Sequence, residues 1–269
     1  MLRTRIITAT LMLSVLAGLL WLASPNQLMA ALTLICLGGV WEWARLAQFN
    51  RLWTQLLYVL AVILVAALAY LLSLRPGGLP LLLGIAAIGW LCAALWLFFY
   101  SDRLAVTAVR CLGPCVLLPA WLGLGALVWR SEQVPAVSLI VACLGLVAAA
   151  DIGAYFAGRL FGRHALAPAI SPGKTWEGVI GGTMVGLLVA GLGAQWLHIS
   201  LAVCLPVGLA VVWVSVVGDL LESRVKRFAG VKDSGACLPG HGGLLDRLDS
   251  ITAAVPFFVL GMMLCGFVR

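Results

Sequence analysis

The sequence predicts an all-α integral membrane protein of about nine transmembrane helices with two charged cytoplasmic loops, and three observations predict it. Of 269 residues, 63% are hydrophobic and 10% charged, whereas a soluble domain is roughly half apolar. Apolar runs of about 20 residues, the length that crosses a bilayer, fall at roughly 5–24, 27–47, 52–74, 79–100, 106–129, 134–158, 178–197, 199–222 and 249–268. With the N-terminus inside, only Arg75, Arg130 and Arg269 of the 17 Lys and Arg residues lie on the far side. That bias puts both long charged loops, 159–177 and 223–248, at the cytoplasmic face.

The first run follows Arg3 and Arg5 in the manner of a signal peptide. Its apolar core exceeds the ~7–15 residues of a signal h-region, and Ala23-Ser24-Pro25 is a poor cleavage site, so a retained helix is expected. The second run ends in Trp41-Glu42-Trp43-Ala44-Arg45, where Glu42 is expected to snorkel towards the interface beside Arg45. Arg110 reads as a headgroup contact. Residues 1–130, about five spans, therefore carry little chemistry, and the catalytic region is expected within 131–269.

The sixth run ends with Asp151, an acid too costly at that depth unless it faces a cavity or a partner, and Tyr155 follows one turn later on the same face. The chain leaves the membrane through Gly158–Arg163 and returns through Ser171-Pro172-Gly173-Lys174-Thr175. A P-loop is excluded, because Pro168 stands where its first glycine belongs and no strand is expected before it. What survives is Lys174 flanked by the hydroxyls of Ser171 and Thr175, suited to phosphate oxygens just before a helix N-terminus. His164 lies in this loop and reads as solvated.

The last charged stretch holds half of the chain's acids. Between Gly218 and Ser250 fall Asp219, Glu222, Asp233, Asp246 and Asp249, with Arg224, Lys226, Arg227, Lys232 and Arg247. On a continuing helix Asp219, Glu222, Ser223 and Lys226 share one face. Asp246 and Asp249 stand three apart where the next helix begins. Such an oxygen cluster suits a hard cation, and Mg²⁺ binds through one or two carboxylates while phosphates complete its shell. Helix capping would account for one of Asp246 and Asp249, but not for Asp219, which ends a different helix. Pro239-Gly240-His241-Gly242-Gly243 lets the backbone approach an anion closely. Asp219, Asp246 and Asp249 are thus the candidate metal ligands and, with Lys226, Lys232 and His241, the candidate catalytic set.

The same stretch resembles the phosphatidate cytidylyltransferases, or CDP-diacylglycerol synthases. Their signature is matched at Ser223, Lys226-Arg227, Lys232-Asp233, Pro239, His241-Gly242-Gly243 and Asp246-Arg247-Leu248-Asp249. A second pattern of that family is matched at Asp151, Ala154, Tyr155, Ser171, Pro172, Lys174, Thr175, Glu177 and Gly178. The resemblance covers about residues 140–269, and the first half only by hydropathy. It implies transfer of CMP from CTP to phosphatidate, giving CDP-diacylglycerol and pyrophosphate, with Mg²⁺ as cofactor. It also implies a homodimer in the cytoplasmic (inner) membrane, with N-terminus and active site facing the cytoplasm. Asp151, Tyr155, Ser171, Lys174, Thr175, Ser223, Arg227, Gly242, Gly243 and Arg247 are the expected substrate-binding residues.

The net charge of +7 follows from topology and from attraction to anionic headgroups, so no nucleic-acid partner is expected. Eight cysteines without a CxxC pair indicate neither a disulfide framework nor a zinc site. Two other readings share parts of the pattern. A CTP-dependent kinase or cytidylyltransferase acting on another membrane lipid, such as a polyprenol, would need a similar site. A secondary transporter would place charges near mid-span and repeat its halves, which the sequence does not do.

Overall fold

The computed structural model describes residues 2–99, 104–131, 133–240 and 242–269. Among them nine helices follow in order: α1 (Leu2–Leu22), α2 (Pro25–Leu46), α3 (Leu52–Ser73), α4 (Gly78–Phe99), α5 (Val106–Arg130), α6 (Ala136–Phe161), α7 (Trp176–Trp196), α8 (Leu201–Phe228) and α9 (Asp249–Leu264). Helices α2 to α8 are each long and apolar enough to cross a membrane, while the apolar parts of α1 (Ile6–Leu22) and α9 are shorter. The fold is that of an all-α integral membrane protein.

Local chemistry sets the helix ends. Ser24 caps α2: its hydroxyl accepts from Gln27 N at 3.4 Å, the Gln27 side chain accepts from Ser24 N at 2.8 Å, and Pro25 opens the first turn. This reciprocal cap turns the chain sharply between α1 and α2. Helix α8 runs six residues beyond the apolar stretch that predicts it, to Phe228. The charged residues there are good helix formers, and Lys226 meets Glu222 one turn back at 3.2 Å.

The loop after α6 differs from expectation. It folds into an antiparallel hairpin of β1 (Ala165–Ala167) and β2 (Ser171–Thr175), with Ala165 opposite Thr175 and Ala167 opposite Ser171. A strand therefore does precede Lys174, but as half of a local hairpin that delivers the chain directly to α7. The missing glycine still excludes a P-loop.

Helix α6 packs along α7, α8 along α9, and α7 against α8, while α2 meets α5 and α5 meets α9. Small residues make the closest approaches possible. A Cβ on Gly153 would come within 2.9 Å of the Gly181 carbonyl oxygen across α6 and α7, and one on Gly218 would strike the Asp249 carbonyl oxygen across α8 and α9. Around Val40, Trp43, Val109, Leu220, Val225 and Leu245, one apolar core joins α2, α5 and α8 beneath the charged end of the molecule. A second, around Leu127, Leu139, Val211 and Val259, joins α5, α6, α8 and α9.

Candidate active site

The last three turns of α8 present the helical face that the spacing predicts. Asp219 accepts from Ser223 Oγ at 3.3 Å through Oδ1, and its Oδ2 lies 2.6 Å from Lys174 Nζ. Strand β2 thus delivers Lys174 across to α8. The hydroxyl of Thr175 caps α7 by accepting from Gly178 N at 3.1 Å, which fixes the hairpin to that helix. On α6, Asp151 is exposed within electrostatic reach of Asp219 and Lys174.

One turn further along α8, Lys226 is buried between two acids. Its Nζ lies 2.6 Å from Asp246 Oδ1 and 3.2 Å from Glu222 Oε1. Asp246 sits in a single 3-10 turn, Leu245–Arg247. Its other oxygen, Oδ2, accepts from Ser234 N at 2.9 Å and Gly243 N at 2.8 Å. Burial alone would push the Asp246 carboxyl upwards, but Lys226 and these two N–H groups outweigh it and hold the group below the usual carboxylate range. Asp249 opens α9, accepting from Ser250 N at 2.7 Å, within electrostatic reach of Asp219, Lys226 and Lys174. The close contact at Gly218 is what brings the Asp249 backbone beside Asp219.

Other expected residues lie around this centre. Arg227, Lys232 and Arg247 are exposed at the rim, and Ser171 is half-buried in β2. Tyr155 is exposed and accepts from Arg159 Nη1 at 2.8 Å. Gly242 takes the positive φ of 82° that glycine tolerates, and its carbonyl accepts from Leu238 N at 3.0 Å, closing a tight turn. His241, and Arg103 among the basic residues, lie outside the described residues.

Among the described residues, no three His, Cys, Asp or Glu side chains stand together as a ready-made metal site. Asp219 and Asp246 each have both oxygens engaged by protein donors and Asp249 has one, so a cation at Asp219 would displace Lys174. Asp219 and Asp249 fit a hard cation by their chemistry, as two carboxylates from different helices. Around them stand the acids Asp151, Glu222 and Asp246 and the lysines Lys174 and Lys226.

One expectation about an individual residue changes, and two residues gain partners within the protein. Glu42 does not snorkel beside Arg45: it is 5% exposed and turns into the protein, accepting from Ser234 Oγ at 2.7 Å and from Leu244 N and Leu245 N at 2.9 Å each. His164 is solvated as expected, its side chain 77% exposed, and is also paired: its Nδ1 lies 2.6 Å from Glu177 Oε1, while Glu177 Oε2 accepts from the backbone N–H groups of Arg163 and His164. Arg110 is engaged by the protein, stacked 4.2 Å from the Phe49 ring centre and donating to the Ala47 carbonyl. Glu42 and Ser234 are the residues that sequence reasoning missed. An acid within an apolar run is the signal that could have found Glu42, and the nearby Arg45 obscured it.

With this geometry in view, comparison with known proteins is specific. The model of the family described as the cytidylyltransferase family matches residues 3–265. A phosphatidate cytidylyltransferase of Pseudomonas aeruginosa is 41% identical, over 99% of this chain and 99% of its own. Phosphatidate cytidylyltransferases of Haemophilus influenzae and Brucella suis are each 35% identical over 96% of this chain, covering 97% and 92% of their own lengths. The match takes in the N-terminal half that the motifs left open, and the chain belongs to the cytidylyltransferase family.

Proposed function

We propose that this protein transfers CMP from CTP to phosphatidate, forming CDP-diacylglycerol and pyrophosphate in phospholipid synthesis. The observation that carries the reading is the meeting of β2, α8, the 3-10 turn and α9 in one cluster of paired lysines and carboxylates, at the charged end of a chain with these relatives. An anionic phosphate oxygen of phosphatidate attacks the α-phosphorus of CTP. The new P–O bond forms as the bond to the bridging α–β oxygen breaks, and pyrophosphate leaves with that electron pair. The nucleophile is already charged at neutral pH, so the site needs no strong general base. It must position two anions and neutralise charge as it develops.

Buried Lys226 and half-buried Lys174 supply positive charge, and Arg227, Lys232 and Arg247 supply it at the rim. The glycine turn at 240–243, whose Gly243 N–H is held by Asp246 Oδ2, closes over the nucleotide through Gly240 and Gly242. Mg²⁺, held by Asp219 and Asp249 with Asp246 beside them, would polarise the nucleotide phosphates and stabilise the departing pyrophosphate. The distribution of Lys and Arg supports a site facing the cytoplasm, with the N-terminus on the same side, in the inner membrane of a bacterial cell. The protein works as a homodimer without a nucleic-acid partner.

Labelled CTP tests the reaction. Purified protein in mixed micelles with Mg²⁺ receives either phosphatidate or a polyprenol, and CTP labelled at the α- or the γ-phosphorus. The α-label should enter phosphatidate-derived lipid and the γ-label should leave as pyrophosphate. Lipid that carries the γ-label would instead mark a kinase, and nucleotidyl transfer to the polyprenol alone would replace phosphatidate as the substrate.

A further inference from the structure

A carboxylate buried in a membrane protein is expensive and persists where its partners need it. Glu42 has three partners, and each belongs to the same loop. Its Oε1 accepts from Leu244 N at 2.9 Å, and its Oε2 accepts from Leu245 N at 2.9 Å and Ser234 Oγ at 2.7 Å. These donors mark the two ends of the segment 234–245, which contains the glycine turn. Two of them are the backbone N–H groups immediately before Asp246. The third comes from the residue whose own N–H holds Asp246 Oδ2.

The Ser234 hydroxyl also lies 3.1 Å from Asp246 Oδ2. It has one proton, and the shorter contact gives it to Glu42, while the Ser234 N–H donates to Asp246, so Ser234 bridges the two acids. The surrounding glycines are cut to fit: a Cβ on Gly235 would come within 2.5 Å of Glu42 Oε1, and one on Gly243 within 2.5 Å of Glu42 Oε2. Glu42 is itself held from behind. Its neighbour Trp43 is 1% exposed and donates through Nε1 to the Val109 carbonyl at 2.8 Å, tying α2 to α5.

We infer that Glu42 is a positioning residue for the reaction. From the N-terminal half it pins both ends of the loop, and so sets where the glycine turn, Asp246 and, through Asp246, Lys226 stand. The kinetic arm of the test rests on the proposed reaction. A second arm does not, so failure of one reading is distinguishable from failure of the other.

The test compares full-length wild type with Glu42→Gln, Glu42→Asp and Ser234→Ala. Glutamine keeps the shape but turns an NH₂ donor against loop donors. Glu42→Gln should lower kcat/KM for CTP at least thirtyfold while leaving KM for phosphatidate within threefold. Glu42→Asp should recover part of the loss, and Ser234→Ala should show a smaller loss of the same CTP-specific kind. Independently of activity, trypsin should cut after Lys232 at least fivefold faster in Glu42→Gln than in wild type. Wild-type kinetics and cleavage in Glu42→Gln would overturn the inference. So would a loss that affects both substrates equally and tracks only the amount of folded protein. Should Glu42→Gln fail to accumulate, Ser234→Ala decides: a CTP-specific loss supports the inference, and wild-type CTP kinetics refute it.

Discussion

Lys226 is the residue whose removal should cost the fold most. Its Nζ lies 2.6 Å from Asp246 and 3.2 Å from Glu222, whose side chains are 9% and 5% exposed. Lys226→Met keeps most of the aliphatic stem and deletes the charge, leaving two buried carboxylates to repel each other. Removing one partner of a buried pair costs about 3–5 kcal/mol, because the other charge is left uncompensated. Reversible unfolding by SDS in mixed micelles, followed by Trp fluorescence, should therefore show Lys226→Met less stable by that amount. Adding Glu222→Gln to the same chain removes the repulsion between the pair and should return roughly 1–2 kcal/mol, within the usual range of coupling between touching residues, while Asp246 still lacks its lysine. A Lys226→Met protein within about 1 kcal/mol of wild type would place the pair among exposed surface contacts. The reading of Lys226 as the counter-ion of the buried site would then be wrong.

Other perturbations separate the roles of the acids. Asp219→Asn and Asp249→Asn should each lower CDP-diacylglycerol formation at least a hundredfold and raise the Mg²⁺ concentration for half-maximal activity; an unchanged Mg²⁺ requirement would remove that residue from the cation. Gly218→Ala should cost at least tenfold in kcat, since its Cβ strikes the Asp249 carbonyl oxygen and parts α8 from α9. Wild-type turnover would show that their spacing is immaterial. The Asp246 carboxyl is held below its usual range in the fold, so its contribution to stability is full above the unfolded value of about 3.9 and is lost as pH falls through the lower folded value. The stability gap between wild type and Asp246→Asn should therefore stay constant from pH 7 to 5 and narrow below about pH 4. A gap that closes by pH 5 would contradict the sign of that shift.

The legible parts of this molecule were those written in short-range periodicity. Runs of about 20 apolar residues become helices because the bilayer leaves the backbone little alternative. The spacing of Asp219, Glu222, Ser223 and Lys226 needed only 3.6 residues per turn to predict a shared face, and the Lys226–Glu222 pair lies on it. The hairpin at 165–175 was not legible, because Ala, Leu, Ser and Pro in that order carry no alternation. Its position is set by contacts elsewhere, with Thr175 bound to α7 and Glu177 gripping the backbone at Arg163 and His164.

Glu42 shows why the remainder resisted. In sequence it has a cation three residues away and a membrane interface close by, and local rules pair those three. Its actual partners lie 192 to 203 positions further along the chain. Two of them are main-chain N–H groups, which no residue pattern announces. Asp246 is similar: its neighbours in sequence suggest a capped helix, yet it is held by Lys226 from α8 and by the N–H groups of a loop. The acids of this site were therefore recognisable one by one, while their division of labour was not. Asp219 and Asp249 lie where two helices touch at a glycine. Asp246 and Glu42 both hold main-chain N–H groups of the 234–245 loop, and that shared grip is what ties them to shaping it.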